Sequence, residues 1–337
     1  MTKILEWKEN LVRWYGKWDT YLTPVVKFVL SFAFFMLITN RLHYMQRLNS
    51  IPAMLVLALI CCLLPSNITL LFAALLILLE LYSLAVEAAV VALVLFLTLY
   101  FLYFRFCPGE SVAAILTPVC FGIRIPYIMP VGCGLLRKGN SILAVLVSTL
   151  IWYFLKGIRQ NEALFRAAAE DDAEISSKFS IAVAQITGNY EMFLVMAVFL
   201  LTMLVVYYVR RMSADYAWTI AIVLGIAVEL AGLIIGYLAL DIKGKTLEVL
   251  IGGAVSLLLA LLIRFFRMNL DYARTERVSF EDDEYYYYVK AVPKKMIASE
   301  EKVVMHFSGA QARSTAEPEE TFGDRIIAQE LDFEEEE

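Results

Sequence analysis

Residues 70–104 read LLFAALLILLELYSLAVEAAVVALVLFLTLYFLYF. As one helix this run would be about 52 Å long at 1.5 Å per residue, against roughly 30 Å of bilayer hydrocarbon. It is too long for a single crossing and too apolar for water. The polar residues Glu80, Tyr82, Ser83 and Glu87 interrupt it near its centre, so it reads as two membrane spans joined by a tight turn. The two carboxylates are expected to sit at the interface beside that turn as solvated caps, because reaching water is the cheaper outcome for a charge near a span end.

The rest of the chain repeats the pattern. Hydrophobic residues make up 60% of the 337 positions and charged residues 19%, against roughly 45–50% and 25% in soluble domains. The apolar residues fall in blocks rather than stripes, which makes lipid the solvent for most of the chain. The blocks at 22–40, 50–65, 67–84, 87–105, 142–157, 192–209, 215–239 and 247–265 predict an all-α polytopic bundle of about eight transmembrane helices.

The transmembrane domain is thus expected over 21–268. Residues 1–20 carry Lys3, Lys8, Arg13 and Lys17 among Trp7, Trp14 and Trp18. They read either as an amphipathic helix in the headgroup region or as a polar leader to the first span. No cleavable signal pattern follows.

Residues 107–138, CPGESVAAILTPVCFGIRIPYIMPVGCGLLRK, contain Pro108, Pro118, Pro126 and Pro130. An interior proline removes a helix donor and clashes with the preceding turn. The segment is expected to be broken or re-entrant, with both ends on one face. Short basic loops at Arg105, Arg137, Lys138, Arg210, Arg211, Arg264 and Arg267 then place both termini in the cytoplasm. Arg41, Arg47, Lys156, Arg159, Arg166 and Lys178 oppose that bias.

A polar outer loop at 158–190 is expected to hold one or two short helices. After Arg267 the composition changes sharply. Residues 269–298 form a tyrosine and acidic juxtamembrane motif, strand-like around Tyr285, Tyr286, Tyr287 and Tyr288, with Asp282 and Asp283 beside them. These six residues are candidates for binding a partner, by aromatic anchoring or strand addition, or for packing back on the helix ends. The acidic stretch 299–337 has too little apolar content to offset ordering entropy and is expected to be disordered.

LYFRF at 102–106, LTPVCFGIRIPYIMPVGCGL at 116–135, DYAWTIAI at 215–222 and NLDYARTERVSFEDDEYYYYVKAVPK at 269–294 resemble an uncharacterised family of bacterial polytopic membrane proteins. Its members are often labelled permeases of the ATP-binding-cassette type. The resemblance implies a cytoplasmic-membrane protein of bacteria and carries over no substrate-binding residue.

Ionisable residues inside spans are the default functional candidates. Glu229 lies mid-span in AWTIAIVLGIAVELAGLIIGYLAL, and Arg124, Thr117 and Tyr127 lie in the broken segment. Glu229 is either a pathway carboxylate, its cost lowered by protonation or by pairing with Arg124, or an interhelical hydrogen-bonding group. The broken segment is either a solute or ion route or a kinked plug. Gly232 and Gly236 in GLIIG form a close-packing GxxxG pattern.

The five cysteines, Cys61, Cys62, Cys107, Cys120 and Cys133, lack zinc-site spacing, so neither a metal nor another cofactor is expected. No phosphate-binding loop, nucleophile elbow, HExxH pair or dinucleotide fingerprint occurs. A non-enzymatic role follows, with the bilayer as the chief partner and no nucleic acid. A permease of this type would need a separate ATPase docked at its cytoplasmic loops. Two roles remain: a transport component of unknown substrate, or a scaffold whose tail recruits a partner.

Overall fold

A computed structural model describes residues 2–45, 50–170, 175–242, 244–268, 276–282 and 284–291. The tail at 299–337, Arg47 and Asp283 lie outside the described residues. The chain is an all-α polytopic bundle followed by one β-hairpin. In order it runs α1 (Thr2–Leu42), α2 (Ile51–Leu63), α3 (Ser66–Leu84), α4 (Val86–Phe106), α5 (Ser111–Gly122), α6 (Ile128–Leu136), α7 (Ser141–Gln160), α8 (Glu162–Glu170), α9 (Ile175–Thr187), α10 (Tyr190–Val209), α11 (Ala217–Ala239) and α12 (Thr246–Arg267). The strands β1 (Glu276–Glu281) and β2 (Tyr286–Ala291) follow.

Among the described residues seven helices are long and apolar enough to cross a bilayer. The eighth expected span, α2, has only 13 residues, about 20 Å of helix. Residues 1–20 are not a separate element either. Residues 2–20 form the first turns of α1, a continuous helix of 41 residues that runs through Pro24. The break in the 70–104 run falls at Ala85, the single residue between α3 and α4.

Polar contacts identify two ends of the bundle. At the first end Lys8 donates to the carbonyls of Phe265 and Met268, tying the start of α1 to the end of α12. Asn67 donates to Pro108 O at 2.9 Å and Asn140 to Phe106 O at 3.1 Å. Arg210 donates to the carbonyls of Leu135 and Arg137. At the second end the backbone N–H groups of Tyr44 and Met45 donate to Glu80 at 2.7 and 3.0 Å. There Glu191, at the start of α10, accepts from Lys156 on α7 and from Lys245 before α12.

Glu80 is therefore no solvated cap. It is fully buried and satisfies two backbone donors where the chain leaves α1. Glu87, in the first turn of α4 and half-buried, sits where the helix dipole favours an acid.

The segment 107–138 folds as a helical hairpin. α5 climbs from the first end, and α6 returns to it, bringing Arg137 within 3.6 Å of Glu110. Pro126 disfavours helical geometry at Ile125, and Arg124 adopts φ 62, a left-handed conformation that is uncommon outside glycine. Pro130 falls in the first turn of α6, where a missing donor is harmless. Pro118, inside α5, leaves the Ala114 carbonyl without its usual donor. The hydroxyl of Ser148 on α7 fills that role at 2.9 Å.

The glycines of α11 permit close approach within the chain. A side chain at Gly225 would run into Val206, at Gly232 into Val198, and at Gly236 into Leu194, all on α10. GLIIG is thus an internal packing motif.

Candidate functional site

Between α1, α3, α4, α5 and α7 lies a cavity of about 420 Å³, a volume in the range of small-molecule sites. Its walls are almost wholly apolar. Phe34, Ile38 and Leu37 come from α1, Ala73 and Ile77 from α3, Phe96 and Leu99 from α4, Ala114 and Pro118 from α5, and Ile151 and Leu155 from α7. Ala73, Ala114 and Pro118 line the cavity with short side chains that leave the room.

At the second end of the bundle the lining turns cationic. Arg41, Lys156 and Arg159 line the cavity there, with Trp152 between them. The Arg41 guanidinium lies 4.7 Å from the centre of the Trp152 ring. The charges of Arg159 and Arg124 both act on Arg41, so the tip of the α5–α6 hairpin adds a third guanidinium to the group. Among the described residues no carboxylate pairs with Arg41 or Arg159. Nearby Glu162 is engaged by Arg166 at 2.7 Å. Arg41, Arg124 and Arg159 are exposed at this end of the cavity. Burial, with the charge of Glu162 adding to it, pushes the neighbouring Tyr44 hydroxyl up to about 12, which keeps it a neutral phenol.

A second polar group adjoins the cavity. Glu191 accepts from Tyr153 at 3.0 Å and from Lys156 at 3.3 Å, and pairs with Lys245. Lys245 in turn lies 5.6 Å from the Tyr237 ring. This knot ties α7, α10, α11 and α12 together and holds the stem of Lys156 at the cavity wall.

The four pathway candidates separate. Arg124 joins the cationic mouth. Thr117 is fully buried and donates to Ala113 O at 2.7 Å inside its own helix, which leaves its hydroxyl no proton for a solute. Tyr127 is 8% exposed and packs on Gly252 of α12. Glu229 is 1% exposed on α11, and its carboxyl oxygens have no hydrogen-bond partner. The expected Glu229–Arg124 pair does not form, because Arg124 stands exposed at the hairpin tip.

Arg41, Lys156, Arg159 and Glu191 were not singled out as site residues from sequence. The three basic residues carry a signal in the sequence only as part of the group opposing the basic-loop bias, and Glu191 carries none.

On the hairpin, Glu281 pairs with Tyr286 and Ser279 with Tyr288 in antiparallel register. Tyr285, Tyr286 and Tyr288 are exposed, and Tyr287 stacks on Phe280 at 5.0 Å. Asp282 closes the turn, its N–H donating to Tyr285 O at 3.0 Å.

No protein-family model, curated protein or solved structure matches this chain.

Proposed function

We propose that this multi-pass membrane protein is a permease-like transport component whose substrate is an anionic amphiphile, a lipid or lipid-linked acid. The observation that carries the reading is the apolar cavity with Arg41 and Arg159 at its mouth and, among the described residues, no acid paired to either. An apolar chain gains by occupying the chamber, and a phosphate or carboxylate gains by bidentate contact with the guanidiniums. The α5–α6 hairpin supplies both the Ala114 and Pro118 wall and Arg124, in the manner of the discontinuous helices through which transporters handle solutes.

With the termini cytoplasmic, as the basic loops of the first end favour, the mouth opens at the outer face. The substrate's headgroup would then be met in the outer leaflet.

The test is binding in nanodiscs. Protein in a zwitterionic bilayer is expected to take up an anionic lipid in preference to phosphatidylcholine. The double variant Arg41→Glu, Arg159→Glu should weaken that preference by about a hundredfold or more, since each charge-assisted contact is worth about 1.5–3 kcal/mol. Equal uptake of both lipids by the unaltered protein would refute the reading.

The exposed tyrosines favour a second role beside transport, recruitment of a partner such as a separate ATPase through the hairpin edge. Deleting residues 276–291 should then release a co-purifying cytoplasmic protein while leaving lipid uptake unchanged. Retention of that protein after the deletion would remove the recruiting role.

A further inference from the structure

Among the described residues of α10–α12, four side chains carry buried oxygens without a hydrogen-bond partner, Thr202, Thr219, Glu229 and Ser256. Thr219 lies near the start of α11 and is partly exposed, and the other three are fully buried. Glu229 is 1% exposed, and Thr202 and Ser256 are 0% exposed. Both carboxyl oxygens of Glu229 and the hydroxyls of Thr202 and Ser256 are unsatisfied.

The packing sets these groups at one level. On the antiparallel α10–α11 seam, Gly225 faces Val206 and Gly232 faces Val198. Glu229 stands one turn beyond Gly225, and Thr202 stands one turn from both Val206 and Val198, so the two positions lie at one level on the faces that form the seam, with no hydrogen bond between them. On the α11–α12 seam Gly253 faces Leu230, the neighbour of Glu229, and Ser256 is one turn farther along the same face. Tyr127 comes to α12 from the hairpin break and packs on Gly252, next to Gly253.

Hydroxyls buried in other spans behave differently. Thr39, Thr117 and Thr149 each donate to the carbonyl four residues earlier. Thr202 and Ser256 make no such bond, so both hydroxyls keep their full capacity for a ligand. One carboxylate and two hydroxyls form an all-oxygen donor set, the preference of hard cations. A single carboxylate balances a single positive charge. A divalent ion would leave a net charge in the hydrocarbon, whereas a monovalent ion leaves the layer neutral.

We propose that Glu229, Thr202 and Ser256 form a binding site for a dehydrated monovalent cation of about the size of sodium. It stands on these three helices and is independent of the amphiphile cavity.

Full-length protein in neutral detergent, at fixed pH and ionic strength, provides the test, with sodium replacing choline. The thermal midpoint should rise saturably with sodium, because a ligand bound only by the folded state stabilises it. Thr202→Val with Ser256→Ala, which preserve shape, should shift the half-saturating sodium concentration upward by about tenfold or more. Glu229→Gln should abolish the response. A midpoint indifferent to sodium would overturn the site, as would an equal response in the Thr202→Val, Ser256→Ala protein. Should Glu229→Gln fail to fold, the hydroxyl variant alone decides.

Discussion

Replacing Glu191 by alanine is expected to destabilise the bundle by about 3–5 kcal/mol, the range for removing one partner of a buried charge group. Its side chain is 18% exposed, and it faces Lys156 and Lys245, whose side chains are 31% and 28% exposed. Without the carboxylate, two half-buried ammonium groups remain side by side, and Tyr153 loses its acceptor. The loss exceeds that of a surface ion pair because the lysines have little water to turn to. Midpoints of unfolding in detergent measure it. Adding Lys245→Met to Glu191→Ala should recover part of the loss by removing one of the two repelling charges. An unchanged midpoint in the single variant would show that the knot does not hold the helices.

Glu80→Leu should be the next most damaging change, by about 2–5 kcal/mol, since it leaves two backbone N–H groups without an acceptor at about 1–3 kcal/mol each. The leucine fills the space, so the defect is one of hydrogen bonding rather than packing. Glu80→Gln keeps an acceptor oxygen and should lose much less. If glutamine and leucine proved equally harmful, the carboxylate's role as a cap for Tyr44 and Met45 would be wrong.

The contrast between Glu80 and Ala85 indicates what a sequence of this kind makes legible. The break at Ala85 could be foreseen because span length is limited by bilayer thickness, and a 70–104 run exceeds it. The hairpin break at Arg124 could be foreseen because proline removes donors locally. Glu80 looked like an interfacial acid because the donors that bury it lie 36 residues upstream, beyond any local pattern.

The same limit hid the cavity. Arg41 and Arg159 meet only through the folding of α1 beside α7. In water the core face of a helix stands out by its apolarity. In a bilayer the lipid-facing side is equally apolar, so no periodicity marks which residues line a chamber. The leader in α1 misled for a related reason: its Lys and Trp content fits an interfacial helix, yet Lys8 is buried against the end of α12, a contact spanning nearly the whole chain.

Sidedness of the α5–α6 hairpin is decisive, because a full crossing would reverse every later helix and put Arg159 on the face opposite Arg41, which splits the cationic mouth. Single cysteines for a membrane-impermeant maleimide can decide it, with Cys62, half-buried, replaced by serine. The other native cysteines are buried, and burial, reinforced by the Glu110 charge, pushes the Cys107 thiol up to about 11, which keeps it unreactive at neutral pH. Gly109→Cys and Lys138→Cys are predicted to label from the same face, and Thr187→Cys from the other. Labelling of Gly109→Cys and Lys138→Cys from opposite faces would contradict the structure described.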